Sequence, residues 1–480
     1  MWVQDQQSGQ RRLVNVACGA RLEDKCPPCA RRTRLARMAQ CREGWHLEAE
    51  PLIGPAGGRA GVEESAGSFK IETAGEGEAR EGAGSRRVRS TRRRQDAPEL
   101  PKRDGSGSTL GRTFTGREGK VYQPSMFVTV TLPSYGKVRN GVPVDADGYD
   151  YRRAARDALH FSKLVDRFVQ NVRRVAGYDV QYFAAVEFQK RLAPHLHMAI
   201  RGTLARREVR QVVAATYHQV WWPATDGPLL EGDRLPVWAE GVGYVEPVTG
   251  EVLPTWDEAL DRLAADEGAG PLHVARFGDQ IDMQGVISGT DDANRCVRYL
   301  AKYLVKAVSG GALDAGGDGS SARRRHAGRL LEALRYEPCS AACANWLRYG
   351  VQPKGAKAGL MPGRCRFKAH GVSCLGYGGR RVLVSRKWSG KTLGEHQRER
   401  RAFVLEALGV PDEVADRARF VWQMAATTDP DVPSLTVRLL ELVAERQRWR
   451  RALEQARAEN GGSSDGSGLG EAGGMAAGHP

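Results

Sequence analysis

The chain has 480 residues, more than one ordinary domain needs and enough for a large core. Its 72 Lys and Arg against 57 Asp and Glu leave a net charge of +15, which suits a phosphate backbone and would also suit an anionic membrane surface. There is no run of about 18 apolar residues to span a bilayer and no signal-peptide pattern at the start, so a cytoplasmic protein with no membrane partner is expected.

The nine cysteines are an odd number in a chain without a secretion signal, so metal binding or buried thiols are favoured over a disulfide framework. Residues 1–47 read as a small cysteine module. Within it, Cys26-Pro27-Pro28-Cys29 has the two-residue spacing of a zinc knuckle, and Cys18 and Cys41 complete four thiolates, with His46 as a substitute ligand. The outer spacings are not those of a common finger, so reduced cysteines in a small core are the other reading. Residues 48–118 are rich in Gly, Ala, Glu and Arg without a sustained apolar period, and read as a flexible basic linker. Its run from Ser85 to Arg94 is either a solvated charge run or a loose DNA-contacting arm.

The pattern tightens over 119–310, the expected core. Phe127 to Leu132 alternates β-branched residues and ends at Pro133, which predicts a strand. Phe161, Leu164, Val165, Phe168, Val172 and Val175 recur at helical spacing, and Gly177 closes that helix. Gln181–Phe188 and His195–Arg201 read as a pair of strands, Glu208–Val220 as a helix, and 221–270 as a Pro- and Gly-punctuated insertion. His273–Phe277 and Gln280–Ile287 read as strands. Asp291 or Asp292 is the expected N-cap of a helix carrying two stripes. Tyr299, Lys302, Tyr303 and Lys306 form one; Ala293, Val297, Leu300 and Leu304 form the other, which packs.

Residues 311–324 read as a linker, and 325–455 as a second cysteine-containing, basic and helical region. There Cys339, Cys343, Cys365 and either His370 or Cys374 are candidate zinc ligands, because the three residues between Cys339 and Cys343 let one helical turn present both thiolates. Gly390-Lys391-Thr392 ends like a P-loop, but Ser385 occupies the leading glycine position, so no nucleotide cofactor is expected. Arg386, Lys387 and Lys391 are read as a DNA-facing patch. Leu435, Leu439, Leu442, Val443, Arg446 and Trp449 suggest an amphipathic helix, and 456–480 a disordered tail. The expected fold is α+β: a central, mostly antiparallel sheet with flanking helices and cysteine-containing modules.

The chemistry concentrates in two stretches. In a strand, His195 and His197 point one way while Leu196, Met198 and Ile200 point into a core. Two imidazoles and an upstream carboxylate, Glu187 (Gln189 as the fallback), form a plausible seat for Mg²⁺ or Mn²⁺ if the two strands make a hairpin. A tyrosine phenol has an ordinary pKa of about 10, so the neighbouring Lys302 and Lys306 would stabilise phenolate or phosphate charge. Attack on phosphorus would leave a 5′-phosphotyrosine and a free 3′-OH without a nucleotide cofactor.

These motifs resemble those of rolling-circle replication initiators of the HUH endonuclease superfamily. Phe127-Val128-Thr129-Val130-Thr131-Leu132 is similar to their first motif. Glu187 with His195-Leu196-His197 is similar to the metal-binding second motif, and Ala301-Lys302-Tyr303-Leu304-Val305-Lys306 to the third, with Tyr303 at the nucleophile position. The resemblance covers about residues 124–310. Ala344–Gly350 and Ser385–Thr392 resemble actinobacterial plasmid and integrative-element initiators. The resemblance implies an HUH-type core that nicks single-stranded or hairpin origin DNA, rejoins it, and works with a host helicase and DNA polymerase. Some members carry a glutamate four residues before the nucleophile; here that position is Tyr299, as in members that use two nucleophiles. A two-tyrosine HUH transposase and a non-catalytic zinc-containing DNA-binding regulator are the alternatives.

Overall fold

A computed structural model describes residues 1–13, 18–23, 25–45, 47, 49–51, 94–111, 113–119, 121–287, 290–304, 320–407, 419–426 and 429–460. His46, the basic run over 85–93, Lys306, residues 311–319 and the tail from 461 lie outside these. Two compact units emerge, one of residues 1–18 and 393–480 and the other of residues 19–392.

In the first unit, strand Trp2–Asp5 pairs antiparallel with both Arg11–Leu13 and Phe420–Gln423. Trp2 Nε1 donates to Asp429 at 2.8 Å, and the Arg419 guanidinium grips the Asp5 carboxylate at 2.8 and 3.0 Å. The expected C-terminal helix forms over Leu435–Asn460, but Leu435, Leu439, Val443 and Trp449 are exposed, so its apolar residues do not form the buried stripe that amphipathicity suggested.

The second unit is built on the alternation visible in the sequence. Its elements are α1 (Pro27–Trp45), β1 (Pro124–Thr131), α2 (Tyr151–Ala176), β2 (Tyr182–Phe188), β3 (Pro194–Arg201), α3 (Arg206–Ala215), β4 (Tyr217–Val220), α4 (Trp256–Ala265), β5 (His273–Arg276), β6 (Ile281–Ile287), α5 (Asp291–Tyr303), α6 (Ser320–Tyr336) and β7 (Val382–Val384), with shorter strands and turns between them. The central sheet has the order β6-β1-β3-β2-β7, and every neighbouring pair is antiparallel. The fold is therefore α+β with a central antiparallel sheet and flanking helices.

Each sheet face has its own core. Val128 and Val130 of β1, Ala184 and Val186 of β2, and Leu196, Met198 and Ile200 of β3 meet Phe161, Leu164, Phe168 and Val172 of α2. Each fully buried Leu or Phe in such a layer contributes about 1.5–3 kcal/mol. Helix α2 starts where Asp150 accepts from the Arg153 amide and stops at Gly177, whose φ of 69° is the left-handed conformation that favours glycine. The opposite face carries Phe127, Phe183, Ala185 and Ala199, covered by α5 and by Cys41 and Trp45 of α1, with Trp388.

One expected element changes type. Helix α3 ends at Ala215, and Tyr217–Val220 is a strand paired with β5 rather than the end of a longer helix. Thr216 is extended; its hydroxyl donates to the Val212 carbonyl at 2.6 Å and accepts from Asn171 at 3.0 Å, which turns the chain out of the helix. The 221–270 segment carries a short hairpin, Val237–Ala239 with Gly243–Val245, as well as α4. No helix among the described residues is long and apolar enough to cross a membrane.

Candidate active site

Strand parity sets the site. His195 and His197 share a face of β3, and the register places Thr129 opposite His197, Thr131 opposite His195, and Glu187 of β2 opposite His195. The turn between β2 and β3 is tight: the Gln189 amide donates to the Ala193 carbonyl at 2.9 Å, and Leu192 takes a φ of 59°. The hairpin condition for recruiting Glu187 is thus met. Gln189 instead accepts from Arg191 at 2.6 Å.

The Nε2 atoms of His195 and His197 lie 2.8 Å apart, and Glu187 Oε2 is 3.8 and 3.7 Å from them. All three donor atoms fall within 4.8 Å of one another. Both imidazoles are buried, whereas the Glu187 side chain is 24% exposed, so the carboxylate marks the open side of the cluster. Burial, with the neighbouring His197, lowers the His195 pKa to about 3, which keeps that ring in the neutral form that ligates metals. His197 Nδ1 is 2.9 Å from Thr129 Oγ1, and this contact orients the ring. Three convergent N and O donors with an open side suit a hard or borderline divalent cation.

Helix α5 lies across this face. Ala293, Val297, Leu300 and Leu304 are buried, as the apolar stripe predicts. Its N-cap is Thr290, whose hydroxyl accepts from the Ala293 amide at 3.4 Å. This corrects the expectation for Asp291 or Asp292, which instead occupy the first turn, where their charge complements the helix dipole. At the other end the Arg381 guanidinium donates to the Leu304 carbonyl.

The helix brings Tyr299 to the histidines. Its ring stands edge-on to His197 at 5.1 Å between centroids, and Phe127 stacks on His197 at 6.1 Å. Lys302 Nζ is 5.8 Å from the Tyr299 ring centre. Tyr303 is the last residue of α5, one turn or about 6 Å further along the axis; its side chain, like Lys306, is outside the described positions.

A family model for the replication initiator protein of pSAM2, RepSA, matches residues 3–445. The chain belongs to the RepSA replication initiator family. A replication initiator protein of Streptomyces ambofaciens is 27% identical over 255 residues, covering 44% of this chain and 50% of that relative. This chain therefore spans about half the length of the curated relative it matches. No solved structure matches.

In this RepSA-family chain the basic patch is partly tied into the fold. Lys387 pairs with Asp179 at 3.3 Å and Lys391 with Glu43 at 3.4 Å, while Arg386 is exposed. Between them Trp388 is fully buried beside Trp45 and Phe183. Arg201 was not singled out from the sequence, although it shares the face of His195 and His197. Its buried guanidinium donates to the Gly44 carbonyl at 2.6 and 3.0 Å and to Thr109 at 3.2 Å, and also reaches the Trp388 carbonyl. Burial lowers its pKa to about 10, so it stays charged at neutral pH. Phe127 and Thr129 read from the sequence as strand and first-motif residues without a role beside His197; their parity with it was the available signal. A cavity of about 420 Å³ lined by Arg94, Arg152, Arg153, Arg156, His273 and Arg276 had no sequence signal, because its arginines come from separate segments.

The cysteines divide. Cys26 and Cys29 have sulfurs within 4.8 Å of each other at the start of α1, and Cys18 belongs to the other unit. Cys41 is twelve residues beyond Cys29 on the same helix, about 18 Å along its axis, and is buried in the core with its pKa raised by burial. Of the four expected thiolates, Cys41 is therefore the one that stands apart from the Cys26–Cys29 pair. Cys339, Cys343, Cys365 and His370 do converge within 4.8 Å; Cys374 is buried outside that group.

Proposed function

We propose that this chain starts replication by nicking one strand of origin DNA through tyrosine attack, holding the 5′ end covalently and later rejoining it. The observation that carries this reading is the Glu187, His195 and His197 cluster lying under the helix that bears Tyr299 and Tyr303. The +15 charge and the arginine-lined cavity support a polyanionic substrate. Membership of a replication initiator family favours an origin as its location.

Glu187, His195 and His197 would hold Mg²⁺ or Mn²⁺, which when bound supplies positive charge to the scissile phosphate. The Tyr303 phenol oxygen forms the new bond to phosphorus as its proton passes to solvent water, with Lys302 and Lys306 stabilising the developing charge. The bond from phosphorus to the 3′ oxygen breaks, and that oxygen takes a proton to become the 3′-OH. The reverse displacement rejoins the strand. Phosphodiester energy is retained in the phosphotyrosine, so no nucleotide cofactor is needed. The 3′-OH would prime a host polymerase while a host helicase unwinds the duplex, giving rolling-circle replication of a plasmid or integrative element.

The position of Tyr299 against His197 favours a role at the phosphate, as a second nucleophile or as a hydrogen-bond donor. A two-tyrosine transposase would share this chemistry at element ends, and a zinc-containing regulator would bind the origin without it. The test is incubation of the full chain with Mn²⁺ and a tiled library of labelled single strands from the element's own origin region, followed by denaturing gels and peptide mapping. The expected result is an adduct on Tyr303 that disappears in Tyr303→Phe and persists in Tyr299→Phe with altered rejoining. Tight binding with no adduct anywhere in the library would replace the nickase with the regulator.

A further inference from the structure

We propose that Cys339, Cys343, Cys365 and His370 form a closed Cys₃His site for structural Zn²⁺, independent of the histidine–glutamate cluster and of whether the chain nicks DNA. The Cys339 and Cys365 sulfurs are 3.9 Å apart, and Cys343 Sγ is 3.6 Å from His370 Nε2. A tetrahedron with metal–sulfur bonds of about 2.3 Å and metal–nitrogen bonds of about 2.0 Å has S···S edges of about 3.8 Å and S···N edges of about 3.5 Å. Both of these edges match that geometry, and all four donors lie within 4.8 Å of one another. A disulfide needs sulfurs at about 2.05 Å, far closer than these.

The local chain explains why a metal is useful here. From Glu337 to Cys374 the backbone has only short 3₁₀ turns, over Ala344–Tyr349, Lys368–His370 and Val372–Cys374. Such a segment has few repeating hydrogen bonds to hold it. The turn in which the Cys343 amide donates to the Ser340 carbonyl at 3.1 Å brings Cys343 back toward Cys339. The turn at Lys368–His370 delivers the imidazole. Cys343 is fully buried in a cluster with Trp256, Trp346 and Tyr349, against which Cys339 and Cys365 also pack. Four protein donors in an aromatic setting leave no position for substrate, which is the signature of a structural rather than a catalytic zinc.

The site also has a mechanical role. Glu337, two residues before Cys339, receives Arg152 at 2.9 Å and Arg156 at 3.2 Å from the first turns of α2. Trp256 of α4 lies 5.0 Å from Trp346. Closing the four ligands therefore fixes the insertion and the start of α2 to one rigid point.

The test is a Co²⁺ titration of the full chain in a Cys26→Ser/Cys29→Ser background, which removes the other close thiol pair. The expected result is thiolate-to-cobalt charge transfer and tetrahedral ligand-field absorption saturating at one equivalent and bleached by Zn²⁺. Adding Cys343→Ser should abolish it, and His370→Cys should retain it with stronger charge transfer. Absence of the thiolate bands in the folded background protein, or bands unchanged by Cys343→Ser and Cys365→Ser, overturns the proposal. So does a Cys339–Cys365 disulfide found by mass spectrometry in protein prepared under reducing conditions. The His370→Cys arm keeps the question open to refutation should Cys343→Ser fail to fold.

Discussion

The donors on β3 and those between Cys339 and His370 are gathered by opposite means. His195 and His197 sit two residues apart on a regular strand, and the sheet register supplies Glu187 and the supporting Thr129. The cysteine cluster draws its four donors from irregular turns and has little backbone order of its own. The first cluster exists because the sheet exists, has three donors and is open at the carboxylate. The second has four donors, is closed, and lies where the chain has no regular helix or strand. A preformed open site suits chemistry, whereas a closed site suits architecture.

The largest test of that contrast is a crossed pair of substitutions. His197→Ala should lower adduct formation by roughly 1000-fold or more while leaving the thiolate–cobalt signal intact. Cys343→Ser should abolish the cobalt signal and lower the thermal midpoint. If His197→Ala lowers the midpoint as strongly, the two regions are not separable in the way the geometry indicates.

Acid probes the scaffold beneath both. Burial holds His218 and His326 to a pKa of about 4 and pushes His160 well below its ordinary value. In the unfolded chain these imidazoles titrate near 6.5, so as the pH falls below that value the unfolded state takes up protons first. Stability is therefore complete above about pH 6.5 and drains as the pH drops toward 4, with His218 alone contributing on the order of 3 kcal/mol of the loss. Urea midpoints across that window measure it; a flat profile would mean these rings are not buried neutral.

The smallest effect sharpens the catalytic half. Thr129→Val keeps the strand and the shape but removes the partner of His197 Nδ1, and should weaken Mn²⁺ activation by about tenfold. Adduct formation against Mn²⁺ concentration reads it, with unchanged maximal activity at saturating metal.

Much of this organisation was legible in the residues. Alternation exposed β1, β2 and β3, and the apolar stripe of α5 showed which side packs, because sheet and helix periods act locally. Glu187 was reachable because a short hairpin makes register nearly a local property. What escaped depends on distant partners. Tyr217–Val220 became a strand because β5 was there to pair with it. Cys41 went into a core that α5 completes, and Arg201 found its acceptors on the loops around Gly44 and Trp388. None of those partners lies within a sequence window.

The pairing of Trp2–Asp5 with Phe420–Gln423 has a consequence for how the protein is made. A ribosome adding about 5–20 residues per second needs roughly 20–85 s between the two strands. For that interval the first strand has Arg11–Leu13 on one edge and nothing from its eventual partner on the other. A long-lived open edge is an invitation to pair with another chain. The newborn chain gains the cover for that edge only when Phe420–Gln423 has emerged.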